Sequence, residues 1–112
     1  MPHPSATKGA RAELEIAKLL TEALDRPVRR KLGAGRTDDE GDLEGLDDWT
    51  LEVKNYASIS AGVNEGLADA TKEQANAGSR HGAALIRRPR GRWFVAMTIE
   101  QFTDIINALE KK

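Results

Sequence analysis

Apolar residues recur along this chain at two spacings, which predict where helices and strands lie. Positions three and four apart, typical of an amphipathic helix, recur over residues 6–24 and 63–77 and again after "TIEQ" (98–101), which has the form of a capping box. Alternating or continuous apolar runs predict strands at 28–32, 42–46, 49–55, 83–88 and 92–97. The order α-β-β-β-α-β-β-α predicts an α/β fold in which helices flank a mixed β-sheet.

Length and composition fit one globular domain over residues 1–112, with residues 1–5 as a flexible tail. Apolar residues make up 39% of the chain and charged residues 31%, and no apolar run reaches the roughly 20 residues that a membrane span needs. The N-terminal "MPHPSATKGA" has no apolar core of a secretory signal. Because the chain has no cysteine, we expect a reducing compartment, the cytoplasm.

Two polar residues interrupt helical stripes that are otherwise apolar. Glu13 lies one turn before Ile16 and Ala17 on the first stripe, and Gln74 lies on the second. A buried glutamate costs free energy unless it is paired, so Glu13 either faces a functional site or reaches solvent at the helix start. Gln74 either contributes to the same site or bonds to nearby backbone.

Acidic residues are concentrated just before the third predicted strand. Seven acidic residues fall between Asp38 and Asp48, and the strand then places Glu52 and Lys54 on one face, about 7 Å apart. If strands 42–46 and 49–55 form a hairpin, Asp42 approaches Glu52, although the sequence leaves the register open. Such crowded charge is either solvated or holds a cation.

Basic residues form two segments that flank this acidic segment. Five bases and no acid lie between Arg26 and Arg36, and five more lie between Arg80 and Arg92. These segments are either ordinary solvated charge or a surface for a phosphate backbone. The candidates for phosphate contact are Lys8, Arg11, Arg29, Arg30, Arg36, Arg80, Arg87 and Arg88. The two histidines, His3 and His81, lack the spacing of a zinc site.

Four short motifs, in this order, resemble those of the PD-(D/E)XK nucleases, and among them the archaeal-type Holliday junction resolvases. They are "KGARAE" (8–13), "GDL" (41–43), "LEVK" (51–54) and "KEQ" (72–74). The chain departs from the family pattern at Gly41, where proline is usual. In the loop Gly33–Thr37, where the resolvases often carry a serine, only Thr37 offers a hydroxyl.

The resemblance implies a restriction-endonuclease-like core and Mg²⁺-dependent hydrolysis of DNA phosphodiesters, with Mn²⁺ able to substitute. By resemblance, Asp42, Glu52 and the Val53 carbonyl would bind the metal, and Glu13 would orient a metal-bound water or help to hold a second ion. Lys54 would act on the attacking water or the phosphate, and Gln74 would position Lys54 or the water. The resemblance also implies a homodimer that cuts branched DNA at two symmetry-related points, with the last helix or strand 92–97 as its interface unless both are simply core.

Three other functions are compatible with these residues. The first is a nicking or restriction-type DNase of the same superfamily, as found in phages or mobile elements. The second is a catalytically silent DNA-binding module that kept the fold. The third is a small acidic adaptor with no role in nucleic-acid binding, which predicts no salt-dependent affinity for DNA.

Overall fold

The structure, a computed structural model, describes residues 4–31 and 40–111, with side chains from residue 9 onward. Within these residues the element order is the predicted one. The elements are α1 (Pro4–Leu24), β1 (Arg29–Arg30), β2 (Leu43–Glu44), β3 (Trp49–Asn55), α2 (Ile59–Ala77), β4 (His81–Arg87), β5 (Phe94–Ala96) and α3 (Ile99–Glu110). The α/β class is therefore confirmed. Helix α1 begins two residues before the predicted start. The predicted tail covers residues 1–5, of which residues 1–3 lie outside the described part.

The main sheet has the order β3-β4-β5 and is mixed. Strand β3 pairs with β4 in parallel, from Trp49 opposite His81 to Asn55 opposite Arg87, and β5 pairs with β4 in antiparallel. Helix α2 connects the two parallel strands, as a parallel pair requires. Central strand β4 is buried over residues 82–87 because it has neighbours on both edges and helices on both faces.

One face of the sheet packs against α1 and forms the apolar core. Ala12, Ile16 and Ala17 of the helix are buried in a cluster with Leu51 and Val53 of β3 and with Ala83 and Leu85 of β4. The predicted alternation along β3 is thus confirmed. Leu51 and Val53 face the core under α1, so Glu52 and Lys54 face α2.

Helix α2 packs on the other face through small residues, and its buried side differs from the predicted stripe. Gly62, Gly66, Ala70 and Glu73 are buried. A Cβ atom at Gly66 would lie 2.8 Å from the Ala84 Cβ, so the helix lies closer to the sheet than any larger residue would allow. The side of α2 that carries these small residues also carries Glu73, which therefore points towards the sheet.

The predicted hairpin of residues 42–46 and 49–55 forms only in part. Strand β2 makes its regular pairing with β1, as a separate two-stranded antiparallel sheet. The residue just before β2 bonds to β3 singly, through the Asp42 N–H, which donates to the Leu51 carbonyl at 2.8 Å. Gly45 has a φ of 114°, and a Cβ there would lie 2.3 Å from the Pro27 carbonyl. This position therefore requires glycine, and the chain then turns into β3, where the Trp49 N–H donates to the Leu46 carbonyl at 3.2 Å.

Helix α3 follows β5 and is held to the domain mainly by its first turn. Thr98 caps it by accepting a hydrogen bond from the Gln101 N–H, as the predicted capping box requires. The Gln101 side chain, however, is buried against β4, where its Oε1 accepts from the Gly82 N–H at 2.9 Å. The predicted stripe is largely exposed, at Phe102, Ile106 and Leu109. Across the described residues, no helix combines the length and apolarity that crossing a membrane requires.

Candidate functional site

A cavity of about 550 Å³ lies where α1, the residues before β2 and the end of β3 meet. Glu13, Asp42, Glu52, Val53 and Lys54 all line it. Four of the five side chains predicted to be catalytic are thereby brought together, from three separate parts of the chain. We call this cavity the carboxylate pocket.

Asp42 is fixed at the edge of the pocket by backbone hydrogen bonds. Its N–H donates to the Leu51 carbonyl, and its carbonyl accepts from the Lys31 N–H, both at 2.8 Å. Its Oδ2 accepts from the Val53 N–H, also at 2.8 Å. Only 5% of the residue is exposed, so this carboxylate is held in one position beside Glu52 and Glu13.

Glu13 reaches the pocket from α1 and is mostly buried. Its Oε1 accepts a 2.8 Å bond from the Arg30 Nε. Burial and the charge of Asp42 raise the pKa of Glu13, although Arg30 acts in the opposite direction. Glu13 therefore faces the pocket, which agrees with the functional interpretation of its place on the stripe. Arg30, a candidate for phosphate contact, is engaged by Glu13 instead of standing free.

Glu52 is almost as deeply buried as Asp42, with 6% of the residue exposed. Its Oε2 has no hydrogen-bond partner within the described part of the chain. Burial, together with the neighbouring Glu73 carboxyl, raises the pKa of Glu52 to about 8, although Asp42 and Lys54 favour its charged form.

Lys54 turns away from solvent towards α2. Its Nζ lies 2.7 Å from the Asp69 Oδ2 and 3.7 Å from the Glu52 Oε1, and 5.6 Å from the centre of the Tyr56 ring. Burial alone would lower the pKa of Lys54, but the hydrogen bond with Asp69 and the charge of Glu52 outweigh it and raise the pKa. Lys54 is therefore an ammonium group at neutral pH and does not act as a base.

Asp69 and Glu73, on α2, complete a group that the sequence analysis missed. With Glu52 they form an acidic triad, in which Glu52 and Glu73 are buried and Asp69 is partly exposed. Its ligand atoms all lie within 4.8 Å of one another, and this triad could hold a metal ion. The predicted ligands Glu13, Asp42 and Glu52 line one pocket but do not form a second such group among the described residues. A signal did exist, since Glu65, Asp69 and Glu73 recur every four residues along α2.

Gln74, in contrast, is not brought to the carboxylate pocket. Its Nε2 donates to the carbonyls of Ser79 and Arg80, at 3.1 and 3.2 Å. The side chain also packs over Gly82, where a Cβ would lie 2.5 Å from its Oε1. Gln74 therefore bonds to nearby backbone, which was the second of the two alternatives for this residue. The α2 residue that contacts Lys54 is Asp69.

Besides Arg30, the seven other candidate phosphate contacts fall into three groups. Arg87 is buried at the end of β4, where both its Nη atoms bond to the carboxylate of Glu15 and its guanidinium lies 4.7 Å from the centre of the Trp93 ring. Arg87 is thus a structural residue, because its guanidinium is buried between an ion pair and a ring and is not presented to a phosphate at the surface. Four candidates are exposed, namely Arg11, Arg29, Arg80 and Arg88. The Lys8 side chain, Arg36 and the loop Gly33–Thr37 lie outside the described part.

Comparison with known proteins gives no assignment. No family model, no curated protein and no solved structure matches the chain. The likeness to PD-(D/E)XK nucleases therefore stays a prediction from the four motifs.

Proposed function

We propose that this chain is a metal-dependent endonuclease of the PD-(D/E)XK type, with a restriction-endonuclease-like core, which hydrolyses DNA phosphodiesters with Mg²⁺ or Mn²⁺. One observation carries the proposal. Glu13, Asp42, Glu52 and Lys54, which come from three separate parts of the chain, line one open pocket. Three carboxylates and an ammonium group are the side chains that this hydrolysis needs at one place.

The residues present fit a hard divalent cation. Carboxylate oxygens are the ligands that Mg²⁺ prefers, and the buried Glu52 Oε2 lacks a hydrogen-bond partner in the described chain. When bound, the ion would supply positive charge to the phosphate and lower the pKa of a water molecule. Asp42, Glu52 and the Val53 carbonyl would hold it. Because Asp42 is fixed by the Val53 N–H, this ligand would need little reorganisation.

The other pocket residues would act on the substrate. The Glu13 Oε atoms would orient the attacking water, since the Arg30 Nε bond holds this carboxylate in place. The Lys54 Nζ, an ammonium group, would stabilise negative charge that develops on the phosphate. Arg30, which bonds to Glu13, brings positive charge to the edge of the pocket, where the backbone of a DNA strand would approach.

We further propose that the substrate is branched DNA, with a Holliday junction as the first candidate, and that the chain acts as a homodimer. Two symmetry-related cuts in a four-way junction need two active sites, and a C₂ pair supplies them. The exposed apolar residues of α3 support this, because Phe102 is 49% exposed and Leu109 is 58% exposed on the same side of one helix. Sedimentation analysis at several protein concentrations tests the dimer, and a monomer at all of them would refute it.

The experiment is a cleavage assay on a labelled synthetic four-way junction and, separately, on its linear duplex arms. Each substrate is incubated with Mg²⁺ or with EDTA, for the wild type and for Glu52→Ala. We expect paired, symmetric nicks in the junction, with Mg²⁺ only and with the wild type only. Glu44→Gln is the matched control, since Glu44 is an exposed carboxylate in β2, outside the pocket.

Each other outcome changes the proposal in a defined way. Cutting of both substrates would keep the nuclease and remove the junction selectivity. Cutting by Glu52→Ala at the wild-type rate would refute the metal site. Binding without cleavage by a folded wild type would favour the DNA-binding module, and an absence of salt-dependent binding would refute any role with DNA.

A further inference from the structure

We propose that Glu52, Asp69 and Glu73 form a second divalent-cation site, between β3 and α2, which the ammonium group of Lys54 occupies when no metal is bound. This site shares Glu52 with the carboxylate pocket, but neither Asp69 nor Glu73 lines that pocket. The proposal deepens the proposed function, and its role in catalysis rests on that function. The cation site itself can be tested without any cleavage.

The spacing of the three carboxylates suits one ion. Their ligand atoms lie within 4.8 Å of one another, whereas two oxygens bound to the same Mg²⁺ or Ca²⁺ ion are at most about 4–5 Å apart. They come from a strand and a helix that are held together by close packing at Gly62 and Gly66. The site is therefore built on rigid elements and needs no loop to close over it.

The burial of two of these carboxylates is costly unless a cation or a proton offsets their charge. Glu52 and Glu73 are each only 6% exposed, and they face each other across the interface between β3 and α2. Within the described chain, the Glu52 Oε2 is buried and accepts no hydrogen bond. A buried carboxylate oxygen without a donor is costly, and a metal ion would satisfy it.

Lys54 stands where such a cation would be expected. Its Nζ lies 2.7 Å from Asp69 and 3.7 Å from Glu52, so it is next to two of the three proposed ligands. The Asp69 side chain is 45% exposed and gives an ion a route from solvent. A divalent ion on these carboxylates would compete with the ammonium group for Asp69. Because Lys54 also lines the carboxylate pocket, its release from Asp69 would free it to face a phosphate there.

Mn²⁺ binding to the full chain, measured by calorimetry and by electron paramagnetic resonance, tests this competition. Lys54→Met removes the resident cation, and we expect it to tighten binding at one site by roughly tenfold. Lys72→Met is the matched control, since Lys72 is an exposed lysine of α2, the helix that carries Asp69 and Glu73. It should bind Mn²⁺ as the wild type does.

Ligand variants give the second arm of the test. Asp69→Asn should weaken binding at one site by about tenfold or more. Because the Asp69 side chain is partly exposed, this substitution disturbs the core less than one at the buried Glu73 would. Glu44→Gln is the control, as an exposed carboxylate of β2 outside both sites, and it should leave Mn²⁺ binding unchanged.

The proposal is overturned if Lys54→Met binds Mn²⁺ no more tightly than the wild type, or if folded Asp69→Asn binds it equally well. Its failure is distinguishable from failure of the proposed function. Normal binding by Asp69→Asn together with Mg²⁺-dependent cleavage would refute the second site and leave the nuclease. The expected binding changes without any cleavage would leave the site and refute the nuclease.

Discussion

The raised pKa of Glu52 predicts an unusual dependence of stability on pH. The pKa is about 8 in the folded protein, against an ordinary value of 4.5. Between these values the folded chain keeps a proton that the unfolded chain releases. A rise in pH therefore favours unfolding, and the loss of stability begins above pH 4.5 and is complete above about pH 8. The difference of 3.5 pKa units corresponds to at most about 5 kcal/mol, and less if Glu73 shares the proton.

Urea unfolding in EDTA, followed by tryptophan fluorescence at pH values from about 5 to 9, measures this effect. The free energy of unfolding of the wild type should fall across the range, while Glu52→Gln, which cannot ionise, should give a much flatter profile. Glu44→Gln should follow the wild type, because Glu44 is exposed. A flat wild-type profile, or a Glu52→Gln profile parallel to it, would refute the reasoning.

Three further predictions concern packing, capping and the pocket. Gly66→Ala should lower the free energy of unfolding by about 1–3 kcal/mol in urea denaturation, despite its better helix propensity, because the added Cβ meets Ala84; an increase in stability would contradict the close packing. Thr98→Ala should destabilise α3 by about 1 kcal/mol through loss of the bond from the Gln101 N–H, seen as faster hydrogen exchange in α3 alone; unchanged exchange would contradict the cap. Asp42→Asn should abolish junction cleavage while junction affinity, measured by fluorescence anisotropy, stays equal or rises, because an acidic charge near phosphate is removed; cleavage at the wild-type rate would show that Asp42 holds no metal.

The carboxylate pocket was predictable because its residues follow from local patterns. Alternation along β3 determines the face of Glu52 and Lys54 once Leu51 and Val53 are assigned to the core. Likewise, the helical period places Glu13 one turn from Ile16. Period-2 and period-3.6 patterns depend on the nearest neighbours in sequence, so they can be recognised without knowledge of the tertiary structure.

The α2 side of the site was not predictable in the same way. The stripe on α2 was assigned from its larger apolar residues, but the helix packs through Gly62 and Gly66, which carry no hydrophobic signal of their own. The prediction therefore assigned the wrong side of α2 to the sheet, and it placed Gln74 at the site where Asp69 and Glu73 lie. The partner of Arg87 was also hidden, because Glu15 lies 72 residues away in the chain.

The positions of the acidic residues along the chain have a consequence for folding kinetics. Glu52, Lys54, Asp69 and Glu73 all belong to the continuous segment of β3 and α2, whereas Glu13 and Asp42 must be brought in from α1 and from the chain before β2. Contacts close in sequence cost little loop entropy, so we expect the β3–α2 unit to form early and the pocket late. A cation held by the triad would then accelerate folding, and substitutions at Glu13 would mainly change the rate of unfolding. The triad would thus influence the rate of folding, whereas Glu13 would influence the rate of unfolding.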